Sequence, residues 1–373
     1  MNSRIRVLVV DDSALMRKLI PQILEADPSL QVVGTAMDGN FGLKKIEELN
    51  PHVVTLDLEM PSMNGLDMLK EIMRRHKLPV IVVSSHSTEG ASVTLKALSM
   101  GAFDFVAKPT DVSARMPEIA SELIGKIKAA AQSRGVKIGV APEALVPPTK
   151  VSVQDGKVPT KLIAIGISTG GPQALQYVLP QLPGDFPGSL VIVQHMPEGF
   201  TEMFARRLDE ICAIKVKEAQ SGDMLLAGRA LVCPGNRHLK VKRLPLGDVA
   251  ILSDDPRMNG HRPSVDVLFK SVAEEYARNS IAVLMTGMGE DGAHGLGLIK
   301  AAGGMTVAQS EDSCVVYGMP KAAIERGYAT RVVPLDALVN TLTAQCMADR
   351  KVTNTTEAAG GSSKSATAGQ TNS

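Results

Sequence analysis

What this chain lacks narrows its class first. Its 373 residues hold only four cysteines, Cys212, Cys233, Cys314 and Cys346, and no two form a C-x-x-C pair. That spacing argues against a zinc site and a disulfide framework, and it suits a reducing cytoplasm. Neither sign of charge is in excess. Forty basic against 39 acidic residues leave a net charge of +1, so no bulk attraction to nucleic acid or an anionic membrane is expected. Long hydrophobic runs are missing as well. Asp11 and Asp12 stop the N-terminal apolar run well short of a signal-peptide core, and no stretch is long enough to span a bilayer. The expectation is a cytoplasmic protein without membrane insertion. What is present is an ordinary globular composition, 44% apolar and 21% charged, in a chain long enough for two or more domains.

Residues 4–128 alternate strand-like and helix-like patterns. The strands read as Arg4–Val10, Gln31–Ala36, Val53–Leu58, Pro79–Ser84 and Phe103–Ala107, with helices between them such as Ser13–Glu25 and Gly65–His76. Such alternation predicts a doubly wound parallel sheet. Pro21 lies inside the first helix and should bend it or remove a hydrogen bond. From Ala131 to Thr160 the periodicity fails and Pro142, Pro147, Pro148 and Pro159 interrupt the chain, which reads as a semi-extended linker. Alternation resumes at Lys161 and continues to about Ala348; within it, residues 216–253 look like short antiparallel strands or hairpins, turning at Gly222, Gly228 and Gly247. The segment Thr353–Ser373 has almost no apolar bulk to offset its ordering entropy and is expected to be disordered. The expected organisation is a first domain over 1–130, a linker over 131–160, a second domain over 161–350 and a tail over 351–373.

Two groups of chemically active residues fall at the carboxyl ends of these strands, where ligands bind in open α/β sheets. In the first half, Asp11 and Asp12 follow the first strand, Asp57 ends the third, and Lys108-Pro109 follows the fifth. Three carboxylates gathered at one edge repel one another unless a divalent cation sits among them, and oxygen-only ligands favour magnesium. A lysine beside them can neutralise an incoming phosphoryl group. A lone strand-end aspartate would read as a helix or turn cap; four groups at matching strand ends read as a site.

In the second half, three apolar strand patterns run into Ser168, into His195, and into the glycine-rich turn Met285-Thr-Gly-Met-Gly-Glu-Asp-Gly292. Gly166-Ile-Ser-Thr-Gly170 fits G-x-S-x-G between a strand and a helix beginning near Pro172, a turn that projects a serine hydroxyl. The competing reading is a phosphate-cradling nucleotide loop. Against it, Ser168 occupies the middle glycine position of G-x-G-x-x-G, and the next strand ends in Gln194-His195 instead of a ribose-binding acid. Serine needs a base, and histidine titrates in the right range. Of seven histidines, His195 directly ends a strand pattern; His294 is its rival, while His238 and His261 suit a core or surface role better. For the orienting acid Asp291 leads, with Glu290 and Asp266 not excluded by spacing. The order Ser…His…Asp differs from those of chymotrypsin, subtilisin and the α/β-hydrolases.

Residues 4–128 resemble the response-regulator receiver domain through Val9-Val-Asp-Asp-Ser13, Thr55-Leu-Asp-Leu-Glu-Met-Pro61, Ser84-Ser85 and Lys108-Pro109. The resemblance implies a flavodoxin-like fold, Asp57 as phosphoryl acceptor, magnesium held by Asp11, Asp12 and Asp57, Lys108 on the phosphate, and Ser84 and Phe105 as switch positions. Lys161–Ala348 is similar to the catalytic domain of the chemotaxis protein-glutamate methylesterase family. The marks are Ile165-Gly-Ile-Ser-Thr-Gly-Gly171, Gln194-His-Met-Pro197, Arg262-Pro-Ser-Val-Asp-Val-Leu-Phe269, Leu284-Met-Thr-Gly-Met-Gly289 and Gly318-Met-Pro320. This implies a doubly wound, mostly parallel α/β catalytic domain with a small antiparallel portion, a Ser168–His195–Asp291 triad and the backbone N–H of Met288 near the oxyanion. It further implies methyl-accepting chemotaxis receptors as substrate, a chemotaxis histidine kinase as phosphodonor, and no cofactor for ester hydrolysis.

Overall fold

The computed structural model describes residues 4–85, 87–108, 112–133 and 157–347; the expected linker, apart from its two ends, and the expected tail lie outside the described residues. In the first half, five strands form one parallel sheet: β1 Ile5–Val10, β2 Leu30–Ala36, β3 Val53–Leu56, β4 Val80–Ser84 and β5 Asp104–Ala107, in the order β2-β1-β3-β4-β5. Helices α1 Ala14–Glu25, α2 Gly39–Leu49, α3 Gly65–Glu71, α4 Thr88–Ser99 and α5 Val112–Gln132 connect and follow them. The central strands are apolar on both faces because helices cover both sides of the sheet, which is why they read as continuous runs. Polar residues just ahead of the helices accept their free N–H groups: Ser13 from Met16, Asp38 from Phe41, Asn64 from Asp67 and Ser87 from Gly90. Helix α1 carries Pro21 in its interior, where proline has no N–H to donate. The expected helix over 65–76 ends differently: after Glu71 the chain widens into one π-turn, Ile72–His76.

The second half is built on a seven-stranded sheet. Its strands are β6 Leu162–Ile167, β7 Ser189–Gln194, β8 Lys215–Glu218 and β9 Arg229–Val232, then β12 Ser280–Leu284, β13 Met305–Gln309 and β14 Arg331–Val333, while β10 His238–Lys242 and β11 Val249–Ser253 pair separately. The order in the large sheet is β14-β13-β12-β6-β7-β9-β8, with every pairing parallel. Helices α6 Gly171–Val178, α7 Phe200–Ile211, α8 Val265–Tyr276, α9 Ala293–Ala301 and α10 Met319–Glu325 complete this half. The expectation of antiparallel strands across 216–253 is corrected in part. Only β10 and β11 are antiparallel; β8 and β9 lie parallel to β7 at the sheet edge. Ala230-Leu-Val232 is buried on both faces, and the ten residues between β8 and β9 let the chain return to run in the same direction.

The sheet winds outward in opposite directions from β6 and β12, so these neighbours flank a switch point. A crevice opens there at the strands' carboxyl ends. The two halves touch. Phe105 on β5 stacks on Phe200 at the start of α7, with centroids 4.7 Å apart, and the Gln173 side chain of α6 donates to the Ala102 carbonyl at 2.8 Å. One buried apolar cluster runs through both halves at this seam.

Candidate active site

Ser168 leaves β6, and its backbone N–H donates to the carbonyl of Thr286 just past β12. Thr286 secures the turn between them: its hydroxyl donates to the Thr169 carbonyl and accepts from the Val316 N–H, each at 2.9 Å. Gly287 must be glycine, because a Cβ there would lie 2.8 Å from the Ser168 Cβ. His195 follows β7 directly. Its N–H donates to the Ile167 carbonyl, and Gln194 places one amide hydrogen on the Ser168 carbonyl and the other on its own neighbour's, each at 3.1 Å. Serine and histidine thus leave adjacent strands side by side.

Asp291 is buried and accepts on both oxygens. Oδ2 takes the Val265 N–H at 2.7 Å and His195 Nε2 at 2.9 Å; Oδ1 takes Ser264 Oγ–H at 2.8 Å, with longer contacts from the Asn259 amide and the Asp266 N–H, both at 3.3 Å. Two of these donors are the first free N–H groups of α8, so the carboxylate sits at the positive end of that helix. Burial by itself would favour the protonated acid. The hydrogen bond and charge of His195, with the Val265 and Ser264 bonds, outweigh it and hold the carboxyl well below the usual range. His195 uses Nε2 on Asp291, and its buried Nδ1 has no hydrogen-bond partner. No hydrogen bond joins that ring to Ser168 Oγ in this conformation. Met288 follows Gly287; its N–H donates to no acceptor among the described residues, and its side chain is 40% exposed.

The rival residues go elsewhere. His294 is exposed on α9, and Glu290 is exposed and paired with Arg326. Asp266 accepts from the Gly295 N–H at 2.7 Å and caps α9. His238 is a core histidine, accepting from the Ser264 N–H and donating to the Pro256 carbonyl. His261 is the correction: its ring lies flat on His195, with centroids 4.0 Å apart and planes 6° apart. Sequence reasoning also missed Ser264 and Asn259 as partners of Asp291. The Asn259-Gly260 dipeptide, a hairpin-turn signal, was the available clue.

At the carboxyl edge of the other sheet, Asp11, Asp12 and Asp57 bring carboxylate oxygens within 4.8 Å of one another. Lys108 Nζ reaches Asp57 at 2.7 Å and Asp11 at 3.0 Å. Burial, with the negative charge of Asp11 adding to it, pushes the Asp57 carboxyl up to about 6 despite Lys108. Because the acid is easier to protonate folded than unfolded, its ionisation weakens the fold progressively from about pH 4 to pH 6 and stays unfavourable above. Asp57→Asn is therefore expected to stabilise the protein in metal-free buffer, by about 2 kcal/mol more at pH 7.5 than at pH 4.5. Urea unfolding at the two pH values checks this, and a pH-independent gain would refute it. Ser84 is buried in a chain of hydroxyls, accepting from Thr94 at 2.5 Å. Phe105 is buried against Phe200, and Lys126 lies 5.3 Å above its ring.

Asp57 lies buried at the carboxyl edge of one parallel sheet, and Ser168 and the His195–Asp291 pair lie at that edge of the other, the combination expected of a receiver joined to an α/β hydrolase. The profile of the CheB methylesterase family matches residues 163–342, and that of the response regulator receiver domain matches residues 7–119. The chain is 61% identical over 353 residues to protein-glutamate methylesterase/protein-glutamine glutaminase 2 of Koribacter versatilis, covering 93% of this chain and 97% of that protein. It is 46% identical to the protein of that activity from Symbiobacterium thermophilum, covering 91% and 96%. The crystal structure of the Thermotoga maritima CheB methylesterase catalytic domain is 41% identical and covers 50% of this chain and 100% of its own, with a TM-score of 0.49. The chain belongs to the CheB family of protein-glutamate methylesterases under receiver control. Among the described residues no helix is long and apolar enough to cross a membrane.

Proposed function

We propose that residues 161–350 hydrolyse γ-glutamyl methyl esters, and deamidate particular glutamines, on methyl-accepting chemotaxis receptors in the cytoplasm. A receiver over 1–130, phosphorylated at Asp57 by a chemotaxis histidine kinase and joined by a linker over 131–160, controls them. The observation that carries the reading is the His195–Asp291 pair, with Nδ1 unpartnered beside the turn that presents Ser168. Ser168 Oγ attacks the ester carbonyl while His195 Nδ1 takes its proton. Asp291 holds the proton on Nε2 and stabilises the imidazolium. The Met288 N–H meets the charge that develops on the carbonyl oxygen. His195 then protonates departing methanol, and water activated by the same nitrogen releases glutamate. An amide leaves less readily, so deamidation leans more on the acid role of His195. Methanol release from methylated receptor membranes, with and without a phosphodonor, tests the activity and its control together.

Asp11, Asp12 and Asp57 fit a magnesium ion, being oxygen donors only, two of them buried and one exposed. When bound, it supplies positive charge against an incoming phosphoryl group. Asp57→Asn is expected to take no label from a small phosphodonor with magnesium present and to keep only basal esterase activity. Labelling at the wild-type level would move the acceptor elsewhere.

The seam between the halves supports repression by contact. The N-terminal part of the chain lays Phe105 on Phe200, next after the Met196–Gly199 turn that follows His195, and Gly125 of α5 lies against the Met288 side chain. Opening this seam would widen the approach of a receptor helix to Ser168. A rearrangement at Ser84 and Phe105 on phosphorylation would open it.

A further inference from the structure

His261 has no place in the mechanism above, yet it is built into the site. Met258-Asn259-Gly260-His261 is a two-residue hairpin turn. Met258 and His261 exchange backbone hydrogen bonds at 3.0 and 2.9 Å, and Asn259 and Gly260 take positive φ of 53° and 78°. The Asn259 side chain ties the turn to the acids, donating to Asp266 Oδ2 at 2.7 Å and lying 3.3 Å from Asp291 Oδ1. The turn is anchored to the acid that binds His195, and it carries the ring that covers His195. Among the described residues the His261 ring makes no hydrogen bond; its contact is the parallel stack.

We propose that His261 is a positioning residue: its ring is a flat plate that fixes the plane of His195, keeping Nε2 on Asp291 and leaving Nδ1 free for the Ser168 hydroxyl. This rests on the triad reading given above. A histidine held by one hydrogen bond can still rotate about that bond, and proton transfer from serine loses rate when the ring swings away. A face-on aromatic neighbour at 4.0 Å blocks that rotation. The plate works uncharged. Burial, together with the charge of His195, pushes His261 down to about 4, against the opposing pull of Asp291 and of Glu122 from α5; Arg257 adds to the downward push. Near neutral pH, then, no like charge faces His195 when it becomes imidazolium.

The test compares three variants of the full-length, phosphorylated enzyme on methylated receptor membranes. His261→Ala is expected to lower kcat about 30-fold with KM nearly unchanged, since positioning acts on the transition state. His261→Phe keeps the flat face without a titrating nitrogen. It should restore kcat to within about threefold of wild type, with the wild-type pH profile. Wild-type kcat in His261→Ala would overturn the proposal. So would a His261→Phe enzyme as slow as His261→Ala, which would give the ring nitrogens a proton-transfer role. Should His261→Ala fail to fold, His261→Val, bulky but without a flat face, takes its place in the comparison. Ser168→Ala in parallel separates the two readings: if it stays active the triad reading itself falls, and if it is dead while His261→Ala is normal only this inference does.

Discussion

Ser168→Ala and His195→Gln are each expected to abolish methanol release, by 10⁴-fold or more, roughly 5 kcal/mol of transition-state stabilisation, while the fold survives. The size follows from the proposed mechanism, in which the groups act as one unit: the hydroxyl is the nucleophile and the imidazole takes its proton. His195→Gln keeps a side chain able to bond Asp291 but offers no base. Asp291→Asn should lose less, by about two orders of magnitude, because it disturbs orientation and not the bond-forming atom. It also strips a full acceptor from the N-terminus of α8, so its thermal unfolding should be measured beside its rate. The base assignment has a direct check. If His195→Gln stays active while His294→Gln is dead, the exposed histidine on α9 is the base and the geometry described above is not the working one.

Gly125→Leu is expected to raise the esterase activity of the unphosphorylated protein. A Cβ at position 125 would lie 2.6 Å from the terminal methyl of Met288, so any larger side chain on α5 must push the halves apart or displace that methionine. Overpacking costs about 1–3 kcal/mol in a tight core, but Met288 meets the new side chain with the flexible end of an exposed side chain and takes up part of the clash, so the seam should feel about 1 kcal/mol, a shift of about fivefold in its open population. Phosphorylated Gly125→Leu should match the phosphorylated wild type, which separates an opened seam from a damaged oxyanion site. A fragment beginning near Val158 should behave like the wedged protein and ignore phosphodonors. An unphosphorylated Gly125→Leu enzyme slower than wild type, or a folded fragment slower than the unphosphorylated full-length chain, would make the receiver an activator by contact.

Much of this was legible from local pattern. Buried strands with helices on both faces are apolar along their length, so β1, β3, β6, β7 and β12 stood out as short runs, each ending where chemistry begins. Ser168, His195 and Asp57 follow such runs within one residue, and their position at a ligand-binding edge needed no tertiary information. Asp291 was harder, because six residues of glycine-rich turn separate it from β12 and two other acids stand nearby. Its neighbours favour Asp291: the free N–H groups of α8 point at it, whereas Asp266 accepts from Gly295 of α9 and Glu290 pairs with Arg326. The direction of β8 and β9 was misread because short strands bounded by glycine look alike whether they return as a hairpin or after a crossover.

Local pattern was enough for the two parallel sheets, the acidic edge around Asp57, and the serine and histidine at one sheet edge, because burial and chain direction leave their mark in residues close together. Packing in three dimensions was needed to see that β6 and β7 are neighbours, which imidazole nitrogen bonds Asp291, that Ser264 and Asn259 hold that acid, that His261 lies on His195, and that Phe105 and Gly125 meet the catalytic half. Each of those contacts joins residues from separate elements. Their direction is set by packing, which no periodicity along the chain records.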